Sequence, residues 1–211
     1  MAREQRTAAG VLALTCGHPD GSLAQLATVP GDGAHVRLVD QYALDDLPLE
    51  SHKALLISMH ADQRFMSARA DRLDRFVGQG GTVVVSGHVA YPFLTGLTPF
   101  RPIEGYRLRD LVVNCEAPHP VWAGVIANEL MFRRGVAGFY GRGWHRPPDG
   151  ATVHHSLGAD RRPLDFTYRI GLGRVLFHGG NDLWQYGAVQ DSTRYIAPQL
   201  LRWLLVPEVD S

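Results

Sequence analysis

Residues 53–88 read KALLISMHADQRFMSARADRLDRFVGQGGTVVVSGH, and this stretch decides the fold. Lys53 to Ser58 carries Ala54, Leu55, Leu56 and Ile57 in succession, and Thr82 to Val85 is a second unbroken apolar or β-branched run. Runs of that length without alternation are expected of strands covered on both faces. Between them Ala70, Leu73, Phe76 and Val77 recur at helical spacing, Ser67 is placed to cap the helix, and Gly80-Gly81 stops it. Strand, helix and strand make a βαβ unit, which implies parallel pairing. The run from Thr82 to Val85 is expected to be central, because four such residues cannot keep one face in water.

Working outward, Val11 to Thr15 and His35 to Val39 are upstream strand candidates, and Asp110 to Asn114 and Val136 to Phe139 weaker downstream ones. A Gly/Arg/Pro-rich loop is expected from Tyr140 to Gly150. Leu164 to Ile170 and Arg174 to Phe177 flank Gly171-Leu172-Gly173, a turn with the glycines a tight antiparallel hairpin needs. A closing helix from Thr193 to Leu205 puts Ile196, Leu200, Trp203 and Leu204 on one face, with Pro207 blocking its extension. The expected fold is α/β: a mostly parallel, flavodoxin-like sheet with helices on both faces and a late antiparallel hairpin.

At 211 residues, 45% apolar and 20% charged, the chain reads as one globular domain over 1–211. Basic and acidic residues cancel at 21 each, which removes the field that would gather nucleic acid or anionic lipid. Arg133, Arg134, Arg142 and Arg146 read as a solvated loop. Cys16 and Cys115 are too few for a disulfide framework and fit a cytoplasmic protein. No apolar run reaches the length of a membrane span, and no signal peptide is expected.

Ligands of open parallel sheets bind beyond the carboxyl ends of the strands. Cys16-Gly17-His18, Met59-His60-Ala61-Asp62, Ser86-Gly87-His88 and His178-Gly179-Gly180-Asn181-Asp182 follow four expected strands. His18, His60, His88, Asn181 and Trp184 are therefore candidate ligand-binding residues, with Trp184 as a platform for a ring. Taken alone, each histidine reads first as a strand-end imidazole bonded to its neighbours, Trp184 as core, and Asp62 and Asp182 as turn caps; the functional reading rests on their joint placement. Ser86 in a strand-to-turn junction, His178 as base and Asp182 as its orienting acid form the candidate catalytic set. A nucleophile elbow of the form G-x-S-x-G would need glycine at positions 84 and 88, where Val84 and His88 stand. His18, His60, His88 and His178, with Asp62 and Asp182, could also bind a transition metal, although no H-x-x-x-H pair supports it, and the sequence names no cofactor either way.

Lys53 to His60, Gly80 to His88, His119-Pro120-Val121-Trp122-Ala123-Gly124-Val125 and Gly171 to His178 occur in an order that resembles the class I glutamine amidotransferase-like superfamily, and within it the ThuA-like (trehalose-utilisation protein-like) branch. The resemblance spans most of the chain. It implies an elbow cysteine after the fourth strand and a histidine followed by an acid after a late strand. His178 matches that histidine and Asn181-Asp182 lie near the acid, but Ser86 or His88 stands where the thiol belongs. The expected function is a binding or accessory module for a small polar, sugar-like molecule without glutaminase activity. Two alternatives are a Ser/His- or metal-dependent hydrolase using the same cleft, and a structural subunit that meets a protein partner or a second copy of itself through Tyr91, Pro92 and Phe93.

Overall fold

The computed structural model describes residues 10–17, 21–29, 35–133, 135–188 and 190–205. β1 (Val11–Thr15), β2 (Val36–Asp40), β3 (Ala54–Ile57) and β4 (Thr82–Ser86) pair in parallel. Two short antiparallel pairings, β5 (Arg101–Pro102) with β9 (Gly143–Trp144) and β7 (Phe132–Arg133) with β8 (Val136–Ala137), lie outside the main sheet. β6 (Val113–Cys115), β10 (Thr152–Leu157), β11 (Arg162–Ile170) and β12 (Gly173–His178) complete an eight-stranded sheet in the order β2-β1-β3-β4-β12-β11-β10-β6. Its first five members are parallel, and β11, β10 and β6 extend it antiparallel. The α/β fold and the antiparallel β11–β12 hairpin follow the sequence reading; Val136 to Phe139 does not, since only two of its residues pair, and outside the sheet.

β4 lies in the middle with every residue buried, because β3 and β12 cover its edges and apolar layers cover its faces. Val84, Leu56 and Leu176 point into the layer built with α1 (Gly21–Leu26), α4 (Ala127–Met131) and α5 (Ile196–Leu205). Val83, Val85, Ile57 and Phe177 point into the opposite layer with α3 (Ala70–Gly78). Ser67 does not cap α3. It ends the short α2 (Gln63–Ser67), whose N-cap is Asp62, a carboxylate accepting from the backbone N–H of Arg64 and Phe65. The final helix starts later than its apolar pattern suggests: residues 192–195 form a 3-10 turn capped by Asp191, and α5 begins at Ile196. Pro207 lies outside the described residues.

Candidate functional site

Register brings four side chains into one row at the carboxyl end of the parallel strands. His155 on β10 pairs with Asp165 on β11, Asp165 with His178 on β12, and His178 with Ser86 on β4. Directly opposed residues share a face, so the four lie side by side across the sheet. Asp165 is fully buried, and its carboxylate accepts from Nδ1 of His178, from Nδ1 of His155 at 2.8 Å and from the Tyr140 hydroxyl at 2.6 Å. Burial alone would raise the Asp165 carboxyl, but the His178 and His155 imidazoles outweigh it and hold it below the usual carboxylate range. The same burial, with the Asp165 charge, lifts the Tyr140 hydroxyl well above its ordinary value. Because a carboxylate only accepts, both histidines carry hydrogen on Nδ1, and Nε2 of each is left as the second ring nitrogen. His178 Nε2 and Ser86 Oγ are buried and have no hydrogen-bond partner among the described residues.

An irregularity in β10 makes this row possible. Pairing with β11 shifts between Val153 and His155, so His154 is an extra residue, and a bulge re-aims the side chains that follow it. His154 then meets Thr167 Oγ1 at 2.9 Å while its neighbour His155 reaches Asp165.

Gly180 packs against His178. A β-carbon there would fall inside the Tyr140 carbonyl oxygen and 2.8 Å from His178 Nε2, so only glycine fits, and His178 is 0% exposed. Gly180 also borders a cavity of about 260 Å³ whose other walls include His88, Phe139, Arg142 and Asn181. Arg142 donates Nε to the Gly138 carbonyl at 3.1 Å, which fixes the turn on which Phe139 stands. His88 stacks on Phe100 at 3.6 Å, and burial together with the charge of His178 lowers its pKa. Next to it, His145 accepts the Val89 N–H at Nε2, 3.1 Å away, and pins the turn that carries His88.

Of the residues singled out from the sequence, His88 and Asn181 line this cavity, and Ser86 and His178 lie in the buried row. Asp182 does not orient His178. Its carboxylate turns the other way and accepts from Ser58 Oγ and the Met59 N–H, both at 2.7 Å, tying the chain after β12 to the end of β3. The acid on His178 is Asp165, contributed by a neighbouring strand. His60 is exposed, with its backbone N–H on Ser58 Oγ, and is not among the cavity's lining residues. Trp184 is 1% exposed inside the core and presents no platform; Phe139, 37% exposed, is the aromatic wall. Phe93 is buried, which leaves Tyr91 as the exposed aromatic of that segment. His18 lies outside the described residues. Among the described residues no group of three or more His, Cys, Asp or Glu could hold a metal ion, and no helix is long and apolar enough to cross a membrane.

Asp165, His155, Tyr140, His145, Phe139 and Arg142 are additions from the structure. The one local signal for the first was an acid between the apolar residues Leu164 and Phe166.

Solved structures share the fold. Cytoplasmic protein STM3548 from Salmonella typhimurium is similar over 92% of this chain and 98% of its own, with a TM-score of 0.57 at 13% identity. Cytoplasmic protein STM1381 from Salmonella typhimurium LT2 is similar over 92% and 97%, with a TM-score of 0.55 at 11% identity. The exo-β-1,4-mannosidase Op5Man5 from Opitutaceae bacterium strain TAV5 aligns with 96% of this chain at a TM-score of 0.52 and 17% identity, but this chain covers 37% of that enzyme. At such identities the likeness is one of fold. No protein-family model and no curated protein matches the sequence.

Proposed function

We propose that the protein is a binding module of the ThuA-like, glutamine amidotransferase-like kind, which holds a small polar, sugar-like molecule in the cavity at the strand ends and has no glutaminase activity. The observation that carries this reading is the separation of two sets of groups. The open cavity is walled by donors and acceptors that bind, Arg142, Asn181 and His88, and by the ring of Phe139, on which an apolar sugar face can rest. The groups suited to nucleophilic chemistry, Ser86 and His178, are 4% and 0% exposed, and His178 lies against Gly180. A volume of about 260 Å³ falls below the roughly 300–1,000 Å³ of sites for drug-sized ligands and suits something of monosaccharide size. A lowered pKa leaves His88 uncharged at pH 7, when its ring both donates and accepts, as sugar hydroxyls require.

Thermal unfolding with a panel of neutral and acidic monosaccharides, together with trehalose, tests the reading. Saturation at 100 times Kd contributes about 2.7 kcal/mol, a rise in Tm of about 5–10 °C for a chain of this size. At least one sugar is expected to give such a shift, reduced in both Asn181→Ala and Arg142→Gln. A panel that leaves Tm unchanged overturns it.

A hydrolase is the second reading, favoured by the register that sets Ser86 beside His178 with Asp165 behind it. There His178 Nε2 would take the Ser86 hydroxyl proton as Oγ attacks, and Asp165 would hold the imidazole. Ammonia release from glutamine that vanishes in Ser86→Ala would replace the binding module by this reading.

A further inference from the structure

One wall of the strand-end cavity is a cation with no counter-charge among the described residues. The lining consists of His88, Phe139, Arg142, Asn181 and three glycines, and includes no carboxylate. Arg142 uses Nε on the Gly138 carbonyl at 3.1 Å; among the described residues its two Nη groups make no hydrogen bond and its charge enters no ion pair. The Asn181 carboxamide is likewise without a hydrogen bond among the described residues. Two carboxylates of the neighbouring strands and turns face elsewhere: Asp165 accepts from His178, His155 and Tyr140, and Asp182 from Ser58 and Met59.

The guanidinium is held in place by its surroundings. The Arg142 carbonyl accepts the Ile103 N–H at 3.1 Å, and the next residue, Gly143, pairs with Pro102 on β5, so the backbone that carries the side chain is tied on both sides. A β-carbon at Gly138, where φ is +84°, would stand 2.9 Å from Arg142 Nε and 3.3 Å from its Cγ; the stem of the arginine therefore packs on the bare face of that glycine. The Tyr106 ring flanks the guanidinium, its centre 5.9 Å from Cζ. With Nε engaged, the edge left over is the one formed by the two Nη groups, whose parallel N–H bonds match the two oxygens of a carboxylate. Charge selects among anions. His88, with its pKa lowered, adds no positive charge at pH 7, so Arg142 supplies a single one, which balances a carboxylate but not a phosphate monoester carrying nearly two negative charges.

We propose that the molecule held in this cavity is a monosaccharide acid, with its carboxylate on the Nη edge of Arg142, its hydroxyls on Asn181 and His88, and the apolar face of its ring on Phe139. This rests on the binding-module reading and adds the charge of the ligand to it. Calorimetric titration of the full chain at pH 7 compares glucuronate with glucose and with glucose 6-phosphate, and galacturonate with galactose and with galactose 6-phosphate. At least one hexuronate is expected to bind at least about tenfold more tightly than its parent hexose and than the matching phosphate, as a charge-assisted bidentate contact allows. Added salt is expected to weaken the hexuronate and to leave the hexose unchanged. Arg142→Gln is expected to reduce the preference for the acid to less than about threefold, and Arg75→Gln, an exposed arginine on α3, to preserve it. A hexose bound as tightly as its hexuronate, a phosphate bound more tightly than either, trehalose bound where no hexuronate is, or a preference that survives Arg142→Gln would each overturn the inference and leave the binding module standing. Failure of every sugar in this series and in the thermal panel would remove both.

Discussion

Acid should weaken this fold through His145, by an amount that can be worked out. The side chain is 1% exposed, packed 4.5 Å from the ring of Phe177, with Nε2 accepting the Val89 N–H and Nδ1 buried without a hydrogen-bond partner among the described residues. Burial, and then the charges of His88 and His178, push its pKa from 6.5 down to about 3. Protonation would also set a second donor against the Val89 N–H. The folded-state pKa of this base lies below the unfolded value, so between pH 6.5 and 3 the unfolded chain binds the proton and the folded chain does not. Stability is therefore fully present above pH 6.5 and falls as pH falls. Two states about 1.5 units below the unfolded pKa differ by about 1.5 times 1.36 kcal/mol, so His145 alone costs about 2 kcal/mol at pH 5. Urea unfolding at pH 7 and pH 5, on the native chain and on His145→Gln, isolates this contribution. Glutamine keeps an acceptor for Val89 but does not titrate, so the variant should lose about 2 kcal/mol less over that interval. His119, also pushed to about 3 by burial, His154 and Arg174, is present in both proteins and cancels. Equal losses in the two proteins would refute the assignment of a neutral, buried His145.

The buried row and its supports give further expectations. Asp165→Asn sets an amide N–H₂ against three donors and should lower stability at pH 7 by about 3–5 kcal/mol, measured by urea unfolding, because removing one partner of a buried charged cluster strands the rest. Asp182→Ala removes two short bonds to a carboxylate and should cost about 3 kcal/mol by the same assay; a loss below about 1 kcal/mol would mean that the tie between β3 and the end of β12 is dispensable. Val84→Asp buries an unpaired charge at the centre of the sheet and should abolish soluble expression, read as the soluble fraction and, for any recovered protein, the far-ultraviolet dichroism.

The order of strengths in the sequence reading follows from how local each signal is. The runs Ala54 to Ile57 and Thr82 to Val85, the apolar face of Ala70 to Gly78, and the glycines between β11 and β12 carry their own instructions, since burial on both faces, helical spacing and a turn at Gly171, whose φ is +56°, depend on adjacent residues alone. That suffices for the α/β fold and for placing Ser86, His88, His178 and Asn181 at one edge. β10 escaped because Thr152 to Leu157 reads polar: its histidines and Ser156 are buried only because Asp165 and Thr167 on β11 and Glu116 just after β6 satisfy them. The acid partner of His178 escaped for the same reason. Asp182 is four residues away and Asp165 thirteen, but the chain bends over residues 179–181 and carries the nearer carboxylate to Ser58, while antiparallel register sets the farther one directly opposite the ring. Composition and periodicity decide which segments are buried; which polar atoms meet inside is decided by strand register and by the two irregularities that flank His155, and these exist only once the sheet has formed.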